Sequence, residues 1–132
     1  MPIKGLILAA GYATRLWPMT KNTPKPMLEV KGRPIIEHIA KHFSEIKGLD
    51  SIYIVTNEKF TQDFEDWASR YKCAIPIKVI NDLTLSNDDR LGAVGDMRYA
   101  IKETKIDDDL FVIAGDNLFE YRLSDFQEFF LK

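Results

Sequence analysis

The run Ile3-Lys4-Gly5-Leu6-Ile7-Leu8 is apolar and of strand length, and it leads straight into Ala9-Ala10-Gly11-Tyr12-Ala13-Thr14-Arg15. An apolar run closed by small residues reads as a buried strand followed by a tight turn. Small side chains let backbone N–H groups approach phosphate oxygens closely. Arg15, Lys21 and Lys25 add countercharge within the same stretch. A chain that begins this way is constrained toward a strand-first α/β architecture with a phosphate-rich ligand on its first loop.

The remaining pattern alternates. Met27 to Val30 is a short extended stretch ended by a Lys31-Gly32 turn. Pro34 suits the first position of a helix, where its missing N–H costs nothing. Ile35, Ile36, Ile39, Phe43 and Ile46 then recur at helical spacing, up to a stop near Gly48. Ser51 to Thr56 is β-branched and aromatic and reads as a second strand. Phe60, Phe64, Trp67, Ala68 and Tyr71 mark a second helix, and Ile77 to Ile80 a third strand. Asn81 to Leu91 is polar and acidic, the composition of a loop. Val94, Met97, Ala100 and Ile101 mark a third helix, and Leu110 to Ala114 a fourth strand. The Asp107 to Asp109 run reads as a solvated turn. Ser124 with Gln127 resembles a capping box opening a helix that contains Phe126, Phe129 and Phe130.

Strands alternating with helices argue for an α/β fold, a mainly parallel sheet covered on both faces. Ligands of such sheets bind beyond the carboxyl ends of the strands. Gly11 follows the first strand, Asn81 the third and Asp116 the fourth, so three polar features converge on that edge.

With 132 residues the chain is long enough for one domain with a core, and 45% hydrophobic against 29% charged residues excludes a disordered segment. A net charge of −2 gives no nucleic-acid footprint. No apolar run approaches membrane-spanning length, and the first ten residues lack the basic region of a secretion signal. The single cysteine, Cys73, rules out an intrachain disulfide and fits a reducing compartment, so a cytoplasmic location is expected.

Leu8 to Gly11, Thr14-Arg15-Leu16, Pro18 and Pro24-Lys25-Pro26 together resemble the N-terminal signature of the nucleotidyltransferases that join a nucleoside triphosphate to a sugar 1-phosphate. The motif is long and irregular, hence far more specific than a lone glycine pattern. One position departs from it: the family's second glycine is Ala13 here. Alanine fits at negative φ with its methyl turned from the phosphates.

The resemblance implies a Rossmann-like, doubly wound sheet and a Mg²⁺-dependent transfer of a nucleoside monophosphate, with release of pyrophosphate. It implies that Leu8, Ala9, Ala10, Gly11, Ala13, Thr14 and Arg15 bind the nucleotide. Arg15 would stabilise the leaving pyrophosphate, and Lys25 would bridge the α-phosphate and the sugar phosphate. Asp116, in Gly115-Asp116-Asn117, would hold Mg²⁺ and complete the catalytic set. A glycine loop that reads the base matches Gly92 best, with Asn81 preferred over Asp82 as the polar residue after the preceding strand.

Gly115 to Phe119 most resembles the glucose 1-phosphate thymidylyl and uridylyl enzymes, so dTTP or UTP is the expected donor, with a cytidylyl or guanylyl relative left open. The acidic stretch Asn87 to Arg90 is unlike that of the best-known members. The family places a second metal aspartate much later in sequence. Residues 1–132 are therefore expected to be the N-terminal, nucleotide-binding part of a longer domain, without assured turnover alone. Nucleic acid and membrane are not expected partners, and a homo-oligomer is left open.

A non-catalytic nucleotide-binding or regulatory domain is the alternative from another class. A flavodoxin-like or NAD-binding module fits poorly, because position 13 lacks glycine and no acidic residue closes the second strand in the dinucleotide manner. His38 and His42, four apart, form a conceivable metal pair without a third ligand nearby in sequence. Trp17 either stacks on a base or packs beside Pro18.

Overall fold

The computed structural model describes residues 3–10, 23–71, 75–84, 91–104 and 109–114. Its elements are β1 (Ile3–Leu8), a 3-10 turn (Lys25–Met27), β2 (Glu29–Val30), β3 (Arg33–Pro34), α1 (Ile35–Phe43), β4 (Leu49–Thr56), α2 (Thr61–Arg70), β5 (Ile77–Asn81), α3 (Gly92–Thr104) and β6 (Asp109–Ala114). The expected alternation is present. Trp17, Cys73, Asp107, Ser124, Phe126, Gln127, Phe129 and Phe130 lie outside the described residues.

The main sheet has the order β5-β4-β1-β6, and all its pairs are parallel. Counted along the chain, these four strands run 3-2-1-4, the opening order of a doubly wound Rossmann sheet. The order has a physical consequence. From β1 to β4 to β5 the chain steps in one direction, and right-handed crossovers lay α1 and α2 on one face. From β5 it returns across the sheet to β6, and the same handedness puts α3 on the other face.

The strand side chains follow this division with a period of two. Ile7, Ile52 and Ile54 join Ile35, Ile36, Ile39, Phe43, Phe64 and Trp67 in one buried cluster, with Phe111 and Ile113 packed against it. Leu6, Tyr53, Val55 and Ala100 form the second, bordered by Leu8, Ile80, Met97, Leu110 and Val112. Strands apolar on both sides are what a sheet covered on both faces requires. Gly5, two residues before Ile7, faces the α1 side, where a Cβ would stand 2.8 Å from Phe43 Cε1, so no larger residue fits there.

Local differences from the sequence reading have local causes. Pro34 is the extended residue before α1 (φ −58°, ψ 146°), one position earlier than expected. It pairs with Glu29 in the β2–β3 hairpin, and the Ile35 N–H bonds the Leu28 carbonyl at 3.0 Å, so the hairpin hands the chain directly to the helix. Lys31 and Gly32 close that hairpin with φ of 54° and 80°, the positive pair a two-residue I′ turn demands. The helix ends at Phe43, and Ile46 enters the core from the turns that follow. Asp109 is not in a turn but opens β6, paired with Ile3.

Candidate nucleotide site

In a doubly wound sheet the crevice opens where successive crossovers diverge, between the first strand and its neighbour on the returning side. Here those strands are β1 and β6. Their carboxyl ends are level, with Leu8 opposite Ala114. The loops that begin at Gly11 and at Gly115 therefore leave the sheet from adjacent strands. Gly11, Ala13, Thr14, Arg15 and Asp116 themselves lie outside the described residues.

The described part of the first loop is firmly held. Ala9 and Ala10 are each 4% exposed, although they lie beyond the strand. The Ala9 N–H donates to the Val55 carbonyl at 2.8 Å, which extends the β1–β4 ladder by one bond. Thr56 Oγ1 donates to the Ala9 carbonyl at 3.1 Å, and Asn57 Nδ2 donates to the Ala10 carbonyl at 3.0 Å. Asn57 is fully buried, and its Oδ1 accepts the Phe60 N–H at 3.0 Å. Thr61 Oγ1 donates to the Asn57 carbonyl at 2.7 Å. One amide side chain thus ties the exit of β1 to the entrance of α2. Buried carbonyls without such partners would each cost about 1–3 kcal/mol. Sequence reading did not single out Asn57. The available signal was a Thr-Asn pair at the end of an apolar strand, where polar side chains must find partners if they stay inside.

Lys25 sits in the 3-10 turn between the buried Pro24 and Pro26, and is itself half-buried. The Met27 N–H bonds the Pro24 carbonyl at 2.9 Å, and Met27 and Leu28 pack on the α1 cluster. The two prolines restrict the backbone on either side of Lys25, and apolar neighbours anchor the turn. The backbone that carries Lys25 is thereby fixed at its root.

Leu8 is half-buried on the α3 side. Gly92 opens α3 at φ 76°, with nothing within 4 Å of the place a Cβ would occupy. Space does not exclude a side chain there; the left-handed backbone disfavours one. Asn81 closes β5, and both ends of its amide are engaged: Oδ1 accepts the Leu83 N–H at 2.8 Å and Nδ2 donates to the Glu58 carboxylate. The adjacent Asp82 N–H bonds the Thr56 carbonyl at 2.7 Å, and the Glu58 N–H bonds the Thr84 carbonyl at 3.0 Å. The exit of β5 is therefore fastened to the same Thr56–Glu58 segment that holds β1.

The histidines have local roles. His38 Nε2 donates to the Val30 carbonyl at 2.8 Å, pinning the β2–β3 hairpin to α1. His42 Nδ1 lies 3.8 Å from the Glu45 carboxylate. Among the described residues no group of three or more His, Cys, Asp or Glu is arranged to hold a metal, and no helix is long and apolar enough to cross a membrane.

A parallel 3-2-1-4 sheet with a clamped exit from its first strand defines a Rossmann-like, doubly wound architecture. Comparison with known proteins narrows the class. The profile of the nucleotidyl transferase family matches residues 4–132, and the chain belongs to that family. A mannose-1-phosphate guanyltransferase of Pichia angusta is 33% identical over 131 residues, covering 96% of this chain and 34% of its own length. The UTP–glucose-1-phosphate uridylyltransferase AglF of Haloferax volcanii is 28% identical over 123 residues, covering 93% of this chain and 47% of its own. A crystal structure of a Bacillus anthracis protein assigned as a glucose-1-phosphate thymidylyltransferase superposes with a TM-score of 0.81 at 25% identity, over 98% of this chain and 50% of that one. The chain thus spans between a third and a half of the length of these relatives. Their names carry three different bases, so likeness alone does not choose among them.

Proposed function

We propose that this chain provides the nucleotide half of a sugar-1-phosphate nucleotidyltransferase. A sugar 1-phosphate oxygen attacks the α-phosphorus of a nucleoside triphosphate, a new P–O bond forms, and pyrophosphate leaves with the electron pair of the broken bond. The observation that carries this reading is the level pairing of Leu8 with Ala114 beside the clamped Ala9-Ala10 backbone. It supports a phosphate-holding loop and an acidic strand end facing one crevice.

The reaction brings two polyanions together, so positioning and charge neutralisation do most of the work. Backbone amides from Gly11 to Thr14 hold the triphosphate. Arg15 offers a bidentate fork to the departing phosphates, and Lys25 a compact charge between α-phosphate and sugar phosphate. Leu8 to Ala10 border base and ribose, and Ala13 lines the phosphates. Gly92, at the entrance of α3, brings backbone groups toward the base edge, and Asn81 would have to exchange its bonds to Leu83 and Glu58 to read that edge as well. Asp116, past the β6 end that lies level with Leu8, has the hard oxygen donor Mg²⁺ requires, and the ion would neutralise charge at the α-phosphate. Gly115-Asp116-Asn117-Leu118-Phe119 favours dTTP or UTP as donor.

The test is a thermal-shift panel with Mg²⁺ and dTTP, UTP, CTP, GTP or ATP in turn, followed by pyrophosphate release with sugar 1-phosphates. A ligand that binds only the folded state at 100 times its Kd adds about 2.7 kcal/mol, which is readily seen. A selective shift abolished by Arg15→Ala is the expected result. A cooperative melt that no triphosphate moves, in this chain and in a longer form spanning its relatives' length, would refute the reading.

A further inference from the structure

Two carboxyl groups of the described structure are buried with no role in the scheme above. Asp82, just beyond β5, is 5% exposed, and Asp96, one turn into α3, is 6% exposed. Asp82 Oδ1 is satisfied by Thr84, which donates its N–H at 2.9 Å and its hydroxyl at 2.7 Å. Asp82 Oδ2 and Asp96 Oδ1 are buried without a donor. Burial first, then the adjoining Asp82 carboxyl through hydrogen bonding and charge, raises the pKa of Asp96. Two facing acceptors cannot bond unless one carries a proton, and two bare carboxylates in such a site repel strongly.

Among the described residues, no counter-ion faces the pair. On α3, Tyr99 is itself raised by burial and by the charges of Glu103 and Asp82. Arg98 and Lys102 of the same helix line an outer groove with Leu91, Gly95, Tyr99 and Ile101. From the sheet, β4 contributes Tyr53 to the face that α3 covers, and Lys4 of β1 is bonded to Asp50. From the β4–α2 connection, Glu58 accepts from Asn81.

We propose that Asp82 and Asp96 share one proton. The resulting acid–carboxylate hydrogen bond is a clasp that fastens the exit of β5 to the first turns of α3, and so positions the entrance of α3 at Gly92. Burial, with the adjoining Asp82 carboxyl, pushes Asp96 up to about 8, which keeps the clasp closed at neutral pH. The sign follows from linkage. The folded chain retains a proton that the unfolded chain releases near the ordinary aspartate value. The contribution is complete below about pH 4, falls as pH rises toward 8, and is gone above it. Asp82 and Asp96 are positioning residues here. The proton itself is independent of the proposed reaction; only the consequence for Gly92 rests on that reading.

The experiment is the melting temperature of the unliganded protein from pH 5 to 9.5, native against Asp96→Asn. The asparagine Nδ2 donates to Asp82 at every pH, so the variant keeps the clasp without the titration. The native Tm should fall relative to the variant by up to about 4 °C per pH unit between pH 5 and 8, with a constant gap above. Asp96→Ala removes the clasp and should melt below Asp96→Asn throughout. Parallel native and Asp96→Asn curves would overturn the proposal. Should Asp96→Asn not fold, carboxyl carbon NMR titration of the native protein decides: one aspartate titrating near pH 8 supports the shared proton, and all carboxyls titrating below pH 5 refute it. Neither readout uses nucleotide, so a failure here is distinct from a failure of the proposed reaction.

Discussion

Replacing Asn57 tests the clamp on the first loop more directly than any change to the loop itself. Asn57 is fully buried and makes two side-chain hydrogen bonds, each 3.0 Å long, to Ala10 and Phe60. Asn57→Ala leaves a carbonyl and an N–H without those partners in the interior. Each unsatisfied group costs about 1–3 kcal/mol, and a water entering the vacated space recovers part of it. The expected loss is about 2–4 kcal/mol, read as a lower urea midpoint with an unchanged m-value. Asn57→Asp separates hydrogen bonding from size. The carboxylate keeps an acceptor for Phe60 but turns a second acceptor toward the Ala10 carbonyl, so at neutral pH it should cost more than alanine. That carboxyl would have a raised folded pKa, so the variant should gain stability on acidification, when a proton lets it donate. Both variants should also weaken triphosphate binding, because the Ala9-Ala10 backbone, proposed above to border base and ribose, is no longer held. A cost for Asn57→Ala below about 1 kcal/mol, or an aspartate variant as stable as the native chain at pH 7, would show that the clamp is not what holds the loop.

Other consequences are independent of this one. Gly5→Ala places a methyl 2.8 Å from Phe43 Cε1 and 3.0 Å from Cδ1, so about 1–3 kcal/mol should be lost in chemical denaturation. Adding Phe43→Leu should recover part of it, as coupled neighbours do. Ile39→Ala, at a site 1% exposed between α1 and the sheet, should cost about 2–5 kcal/mol with no change in which triphosphate binds. Lys31→Asn relieves a non-glycine residue at φ 54° in the I′ turn and should raise the denaturation midpoint slightly, by a few tenths of a kcal/mol. Under the proposed function, Arg15→Ala, Lys25→Ala and Asp116→Ala should each lower turnover of a form spanning the relatives' length by on the order of a hundredfold or more, in a pyrophosphate-release assay. Near-native turnover in any of them would refute the role given to that residue.

The elements were legible in the chain for ordinary reasons. Ile35, Ile36, Ile39 and Phe43 repeat at helical spacing because they cover one face of a sheet, and Ile52 to Val55 are continuously apolar because both faces are covered. The stretch after Leu8 is marked by small residues with Arg15, Lys21 and Lys25 close by in sequence, the composition that the proposed phosphate-holding loop needs. Tertiary structure alone decided what sequence spacing cannot express. The strand order sets β1 against β6, residues more than a hundred apart, and so brings the carboxyl ends of the two strands level. Asn57 proved to be the joint between β1 and α2, although its own neighbours in sequence say nothing of Ala10. In sequence Asp82 ranks only second to Asn81, and Asp96 does not stand out on its helix; only packing buried both carboxyls. Periodicity records which way a side chain faces. Which partner it meets there depends on how the chain returns, and that is a property of the assembled sheet.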